Sequence, residues 1–301
     1  MDDTFDRSAL MLPDEIFKAV RRLEIVARRA VDDHLAGQYH SVFKGRGMDF
    51  RDVRAYQPGD DMRVIDWNVS ARMNELHVKQ FVEERELTVF LLVDASASQL
   101  FGTRNRRKLE TAAQLAALIA FSATRNNDRV GLMVFTDGVE TCLPPRKGRK
   151  HVLRVIREVL EPNVTSRGTD LPAALEYLVR VSNKRSVAFV ISDFLDEGYE
   201  RALKIAHRRH EIVPLVVQDP MELRLPDMGI VNFRDPETGQ IVAADTSSNA
   251  VRQCYAAHVD RLQRDRERIF RKLEIDSVLI DTANDHIDPV VRYFRRRAKR
   301  G

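Results

Sequence analysis

The chain has 301 residues, of which 44% are hydrophobic, and this is enough for one large or two ordinary globular domains with a sizeable core. No run of about eighteen apolar residues occurs, so no transmembrane segment is expected. The 49 Lys and Arg residues nearly balance the 45 Asp and Glu residues, and the net charge of +4 does not favour a global nucleic-acid-binding surface.

The two cysteines and the amino terminus indicate the compartment. Cys142 and Cys254 lie far apart and form no Cys-x-x-Cys pair, so reduced thiols are expected rather than a disulfide or a metal site. The first fifteen residues are acidic and lack the basic start and apolar core of a signal peptide. Both features favour a cytoplasmic protein.

The amino-terminal third predicts a helix followed by short extended segments. Apolar residues recur at helical spacing from Pro13 to Ala36, and the segment from Gly45 to Glu84 is predicted to be a small, partly β subdomain. Within it, Gln57-Pro58-Gly59-Asp60 has Pro and Gly where a type II turn requires them. The charged residues of this segment either form a buried network around Trp67 or flank a binding face and help to select a partner.

From residue 85 onward the pattern alternates between apolar strands and helices, which is typical of an α/β fold with a doubly wound, mainly parallel sheet. The predicted core strands are 87–93, 130–135, 186–191, 211–217 and 276–280, and residues 139–143 are expected to pair beside the second of them. A hairpin is predicted at 229–245, before a long helix over 248–273 and a last helix after Pro289. The predicted domains are therefore 1–84 and 85–301.

Basic residues are concentrated at the carboxyl terminus, where Arg295, Arg296 and Arg297 are consecutive. A solvated helix end explains such a run, because cations interact favourably with the negative end of the helix dipole. An acidic partner or membrane headgroups are the alternative.

Hydroxyl and carboxylate side chains follow the ends of the predicted strands. Asp94, Ser96 and Ser98 come directly after the first core strand, Thr169 lies in a loop before a helix, and Asp193 ends another strand. Parallel α/β sheets bind ligands beyond the carboxyl ends of their strands. Because Mg²⁺ and Mn²⁺ prefer oxygen ligands, these five residues predict a site for such a cation, with one position open for an anionic oxygen from a partner.

The same residues resemble the metal-ion-dependent adhesion site of von Willebrand factor A domains, a Rossmann-type fold. Upstream, the stretch FRDVRAYQPGDDMRVIDWNVSAR is similar to the bacterial family called domain of unknown function 58. This resemblance implies a metal-dependent protein-binding domain, often linked to MoxR-type AAA+ ATPases. It implies Ser96, Ser98 and Thr169 as direct or near metal ligands, with Asp94 and Asp193 acting largely through water. Many members of that family carry transmembrane helices, which this sequence does not predict.

Each predicted site residue also has a purely structural interpretation. Ser96 and Ser98 could satisfy backbone groups in a turn, and Thr169, Asp170 or Asp193 could cap the following helix. Their agreement across three loops is the reason to expect a metal site.

Enzymatic interpretations lack the required residues. A phosphate-binding Gly-x-x-x-x-Gly-Lys-Ser/Thr loop, a Gly-x-Ser-x-Gly nucleophile elbow and a His-Glu-x-x-His motif are all missing from the sequence, and His207 and His210 supply too few ligands for zinc. We therefore expect no enzyme, but a protein whose bound Mg²⁺ or Mn²⁺ bridges to an acidic side chain of a MoxR-type ATPase or its client. A Mg²⁺- or Mn²⁺-dependent phosphoester hydrolase is the alternative.

Overall fold

The structure is a computed structural model that describes residues 13–31, 48–83, 86–103 and 106–299. It divides the chain into two compact units, one formed by 1–42 and 88–301 and the other by 43–87. The predicted first domain, 1–84, therefore spans parts of both units. None of the helices in the described ranges combines the length and hydropathy needed to cross a bilayer.

A six-stranded sheet forms the centre of the larger unit. Its strands are β3 (Thr88–Asp94), β4 (Arg129–Phe135), β5 (Val139–Arg146), β6 (Val187–Ser192), β7 (Glu211–Gln218) and β10 (Val278–Asp281), and their order is β10-β7-β6-β3-β4-β5. Five strands are parallel, and the edge strand β5 pairs beside β4, as predicted, in the antiparallel direction. The mixed α/β class with a mainly parallel sheet is confirmed.

Helices cover both faces of this sheet, because β3, β4, β6 and β7 are apolar on both faces. The helices of this unit are α1 (Pro13–Ala30), α3 (Lys108–Arg125), α4 (Arg149–Leu160), α5 (Leu171–Val181), α6 (Glu200–Arg209), α7 (Pro220–Leu223), α8 (Asn249–Lys272) and α9 (Ile287–Ala298). The α3 face rich in alanine allows a close approach to β3 and β4. On the opposite face, α5 and α6 pack on Phe90, Leu92 and Met133.

The amino-terminal helix α1 packs on α3 and α4. Its buried Glu24 accepts two hydrogen bonds from Arg149, at 2.6 and 2.9 Å. The predicted end of this helix at Ala36 lies outside the described residues.

The smaller unit contains an antiparallel pair, β1 (Met48–Ala55) and β2 (His77–Glu83), with the helix α2 (Trp67–Met73) between them. Gly59 has φ +109°, and the Asp60 amide donates to the Gln57 carbonyl, which confirms the predicted turn. The Arg54 guanidinium binds the Asp60 carboxylate through two contacts of 2.6 Å. Trp67, however, is 65% exposed, so the predicted network buried around it is wrong.

The last helix, α9, begins at Ile287, two residues before the predicted start at Pro289, because proline fits the first turn of a helix. Its basic end pairs with acidic side chains, Arg296 with Asp276 at 3.6 Å and Arg297 with Glu211. These pairs fit the interpretation as a solvated helix end.

Candidate functional site

The predicted site residues lie where the order of the parallel strands reverses. The chain runs from β3 to β4 on one side and later returns to β6 on the other side of β3. Asp94 is the last residue of β3, and Asp193 follows the last residue of β6. Both carboxylates therefore lie at the same edge of the sheet, in the crevice where doubly wound sheets bind their ligands.

A short 3₁₀ turn after β3 brings the two serines to the carboxylates. The Ser96 amide donates to Asp94 Oδ1 at 2.9 Å, and the turn Ala97–Leu100 follows. The two hydroxyl oxygens of Ser96 and Ser98 are 3.0 Å apart, and Ser98 donates to Asp193 Oδ2 at 3.2 Å. Asp94, Ser96, Ser98 and Asp193 thus form one hydrogen-bonded set.

Thr169 lies in a neighbouring loop but makes a different contact. That loop is fixed by two backbone hydrogen bonds, from Ala97 to the Arg167 carbonyl at 2.9 Å and from Asp170 to the Thr136 carbonyl at 2.8 Å. Asp170 caps α5, as expected, by accepting from the Ala173 amide. The Thr169 hydroxyl donates to Glu237 Oε1 at 3.0 Å, a contact that the sequence did not predict.

Packing holds the backbone of Asp193 in place. The next residue, Phe194, has φ +56°, which is unusual for a large side chain. Its buried ring makes edge contacts with Tyr199 and Phe270, at centroid distances of 5.9 and 5.3 Å. Arg266 donates to the Asp193 carbonyl at 2.9 Å. The burial of the Phe194 ring therefore offsets the cost of its left-handed backbone conformation. This conformation turns the chain sharply beside the site.

A buried lysine neutralises part of the negative charge. Lys108, in the first turn of α3, is fully buried, and its Nζ donates to Asp193 Oδ2 at 2.8 Å and to Glu222 Oε1 at 2.6 Å. Burial opposes its charge, but the two carboxylates outweigh burial and raise the pKa of Lys108. Glu222 is itself held by a capping box with Asp219 at the start of α7.

Asp94 has no such compensation in the described part of the chain. Its side chain is fully buried and accepts hydrogen bonds from neutral groups, the Ser192 hydroxyl at 2.7 Å and the Ser96 amide at 2.9 Å. Burial, followed by the charge of Asp193, raises the pKa of Asp94 to about 7. The site therefore holds two carboxylates whose combined negative charge exceeds what Lys108 offsets, because Lys108 also pairs with Glu222.

These residues fit a hard divalent cation by their chemistry. Within the described ranges, no group of three or more His, Cys, Asp or Glu side chains is arranged to hold a metal ion. The site instead offers two carboxylates and hydroxyls, which are oxygen donors suited to Mg²⁺ or Mn²⁺. A cation here would offset the burial and the neighbouring negative charge that raise the pKa of Asp94.

Sequence reasoning missed four side chains of this site: Gln99, Lys108, Ser192 and Glu237. Gln99 donates to Asp193 Oδ2 at 3.0 Å, and the other three make the contacts described above. A weak signal existed for Lys108, which stands alone among the small and apolar residues of the buried α3 face. No local pattern predicts the contact of Glu237 with Thr169, because the two residues lie 68 positions apart in the chain.

The two histidines considered for zinc have other surroundings. The buried His210 has its Nδ1 3.0 Å from the Ser186 hydroxyl, and burial lowers the pKa of both His207 and His210. His210 is thus a core side chain, and within the described residues neither histidine belongs to a group that could hold a metal ion.

Comparison with known proteins identifies relatives along most of the chain. Residues 52–265 match the family described as "Protein of unknown function DUF58". Uncharacterized protein Rv1480 of Mycobacterium tuberculosis and Mb1516 of Mycobacterium bovis are each 34% identical over 285 residues, which is 93% of this chain and 89% of the relative. YeaD of Bacillus subtilis is 27% identical over 162 residues, 54% of this chain and 38% of that protein.

Solved structures give a weaker likeness. BatB from Bacteroides thetaiotaomicron has a TM-score of 0.47 and 20% identity, and the match covers 71% of this chain and 99% of that one. An aerotolerance-related membrane protein from Bacteroides fragilis has a TM-score of 0.46 and 21% identity, and the match covers 71% of this chain and 100% of that one. These scores are too low to support a conclusion about this chain. The family match and the mycobacterial relatives agree over most of its length, and the chain therefore belongs to the bacterial DUF58 family.

Proposed function

We propose that this protein is a metal-dependent protein-binding module in which Mg²⁺ or Mn²⁺ bridges to an acidic side chain of a partner. The larger unit then serves as a von Willebrand factor A-like domain. The residues that would hold the cation are Asp94, Ser96, Ser98, Thr169 and Asp193.

One observation carries the proposal. The carboxylate of Asp94 is fully buried beside that of Asp193, and in the described chain the hydrogen-bond partners of Asp94 are all neutral. A buried charge without compensation is costly, and such groups occur where a ligand or a charged reaction partner compensates them. A hard divalent cation supplies that positive charge and accepts one more anionic oxygen.

The surrounding residues have separate tasks. Ser96 and Ser98 present hydroxyl oxygens toward the carboxylates, while Asp94 and Asp193 attract the cation and its waters. Gln99 and Lys108 hold Asp193 Oδ2 from the protein side. Because neutral hydroxyls donate less charge than carboxylates, a cation held in this way retains affinity for a partner's Asp or Glu.

The family resemblance supports a cytoplasmic MoxR-type AAA+ ATPase, or a protein that it remodels, as the partner. A role in nucleic-acid binding is not proposed, since the basic end of α9 pairs with acidic side chains. The alternative, a Mg²⁺- or Mn²⁺-dependent phosphoester hydrolase, would use the same cation as a Lewis acid. It is not favoured, because the sequence offers no evident base or nucleophile for it.

Titration calorimetry with Mg²⁺ and with Mn²⁺ tests the site directly. We expect binding heat for the wild type and at least a tenfold loss of affinity in Ser98→Ala and Asp94→Ala, each of which removes an oxygen that would hold the cation directly or through water. Ser122→Ala is the matched control, because its hydroxyl binds the Leu118 carbonyl within α3.

A second titration includes millimolar acetate as a surrogate for the partner's carboxylate. Tighter metal binding with acetate would support the bridging role. Absence of heat with both ions, with and without acetate, would refute the proposal, as would equal affinity in Ser98→Ala and Ser122→Ala.

A further inference from the structure

The hairpin inserted between α7 and α8 has no fully buried residue in its strands. It consists of β8 (Ile230–Arg234) and β9 (Ile241–Asp245), whose residues are all exposed or half-buried. Ile230 is 80% exposed, and Ile241 and Val242 are also largely exposed. Two-stranded hairpins are marginally stable by themselves, so contacts at the base and the tip are needed to hold this one in place.

The base of the hairpin is firmly attached. Thr246 is fully buried, its hydroxyl donates to the Gly229 carbonyl at 2.7 Å, and it accepts from the Met228 amide at 2.9 Å. Arg252 of α8 donates to the Thr246 carbonyl at 2.5 Å. The two strands therefore leave the body of the unit from a fixed point.

The tip is a preorganised turn that presents Glu237. Asp235 Oδ1 accepts from the amides of Glu237 and Thr238, at 2.9 and 3.2 Å, and the Gly239 amide donates to the Asp235 carbonyl at 2.9 Å. Gly239 adopts φ +73°, which glycine tolerates without strain. The Glu237 side chain is half-buried, and its carboxylate accepts from the Thr169 hydroxyl.

The position of Glu237 makes this contact informative. Its Oε1 lies 3.0 Å from the Thr169 hydroxyl, in the loop that a backbone hydrogen bond from Ala97 joins to the turn carrying Ser96 and Ser98. The hairpin thus brings a carboxylate onto a predicted metal ligand. Carboxylates gathered around one site repel each other unless a cation lies among them.

We propose that Glu237 is an internal ligand of the candidate metal site, and that the partner's ligand is likewise an acidic side chain presented on a tight turn. This inference rests on the proposed function. Glu237 at the hairpin tip occupies the coordination position that the partner's carboxylate would take. The partner must therefore displace Glu237 to bind. The hairpin tip is in equilibrium between a state in which Glu237 occupies the site and a state in which the site is free. A competing ligand binds only the free state, so its apparent affinity is its intrinsic affinity multiplied by the fraction of protein in that state.

A cyclic peptide with the sequence of residues 233–242, FRDPETGQIV, serves as the probe of the external ligand, and the same peptide with Gln in place of its Glu is its control. Binding is measured in Mg²⁺ to the wild type, to Glu237→Ala and to Gln240→Ala, a matched change of an exposed tip residue. We expect Glu237→Ala to bind the peptide about tenfold more tightly than the other two proteins, as loss of a charge-assisted hydrogen bond implies. EDTA or the Gln peptide should abolish the binding.

Hydrogen exchange in the absence of metal gives a second readout. We expect faster exchange at residues 230–245 in Glu237→Ala than in Gln240→Ala, with the exchange of β3 and β6 unchanged. Equal exchange in the two variants, or equal peptide affinity in all three proteins, would overturn the internal ligand.

Calorimetry with Mn²⁺ separates the two proposals. If Mn²⁺ binds and depends on Asp94, while Glu237→Ala changes neither readout, only the internal ligand fails. If no protein binds Mg²⁺ or Mn²⁺, with or without acetate, both proposals fail.

Discussion

Asp94→Asn tests the electrostatics of the site with almost no change in shape. In the metal-free wild type, Asp94 is buried beside Asp193, and its pKa is raised from 3.8 to about 7. The folded state therefore binds a proton more strongly than the unfolded chain across this interval. The contribution of the Asp94 carboxyl to folding stability is fully present below pH 3.8 and is lost as the pH rises through about 7. The amide in Asp94→Asn has no proton to lose, so its contribution does not change with pH.

The expected size of the effect follows from this pKa. A rise from 3.8 to about 7 corresponds to about 4 kcal/mol of unfolding free energy at pH 8. The amide recovers part of this only, because it gives up the charge-assisted hydrogen bonds from Ser96 and Ser192. We expect Asp94→Asn to be more stable than the metal-free wild type by about 2 kcal/mol at pH 8, or about 5 °C in Tm.

The assay is thermal and urea unfolding in EDTA at pH 5 and pH 8, followed by unfolding in Mg²⁺. The advantage of the variant should shrink at pH 5 and reverse in Mg²⁺, where wild type at one hundred times its Kd gains about 2.7 kcal/mol. An Asn variant that is less stable than wild type in EDTA at pH 8 would refute this account of the carboxylate pair.

Two further predictions concern other buried charges of the larger unit. Lys108→Met should reduce the unfolding free energy in urea by about 3 to 5 kcal/mol, because Asp193 and Glu222 lose their shared cation, and adding Glu222→Gln should restore part of the loss. A loss below about 1 kcal/mol would contradict this role for the lysine. Burial, with the charge of Arg106, lowers the pKa of His286 from 6.5 to about 4, so stability should fall by up to about 3 kcal/mol as the pH drops through this interval. His286→Asn keeps an acceptor for Arg106 and should flatten that slope in urea titrations at pH 4.5 and 7.5, while an unchanged slope would show that the imidazole does not cause it.

The α/β class and most of the elements of the larger unit were predictable because they depend on local patterns. Apolar runs bounded by helices predict buried parallel strands, and Glu237-Thr238-Gly239 marks the hairpin turn. The exposure of Trp67 was not predictable in this way. A large aromatic residue surrounded by charges reads locally as a buried centre, and only the packing of α2 leaves it in water.

The sequence by itself determined that Asp94, Ser96, Ser98 and Asp193 meet, because parallel strands bring their carboxyl ends to one edge of a sheet. The tertiary structure decided which charges surround them. Lys108 reaches Asp193 from the start of a helix, and Glu237 reaches Thr169 from the tip of a hairpin. Contacts between residues so far apart in the chain depend on how helices and hairpins pack. Local patterns in the sequence do not predict that packing.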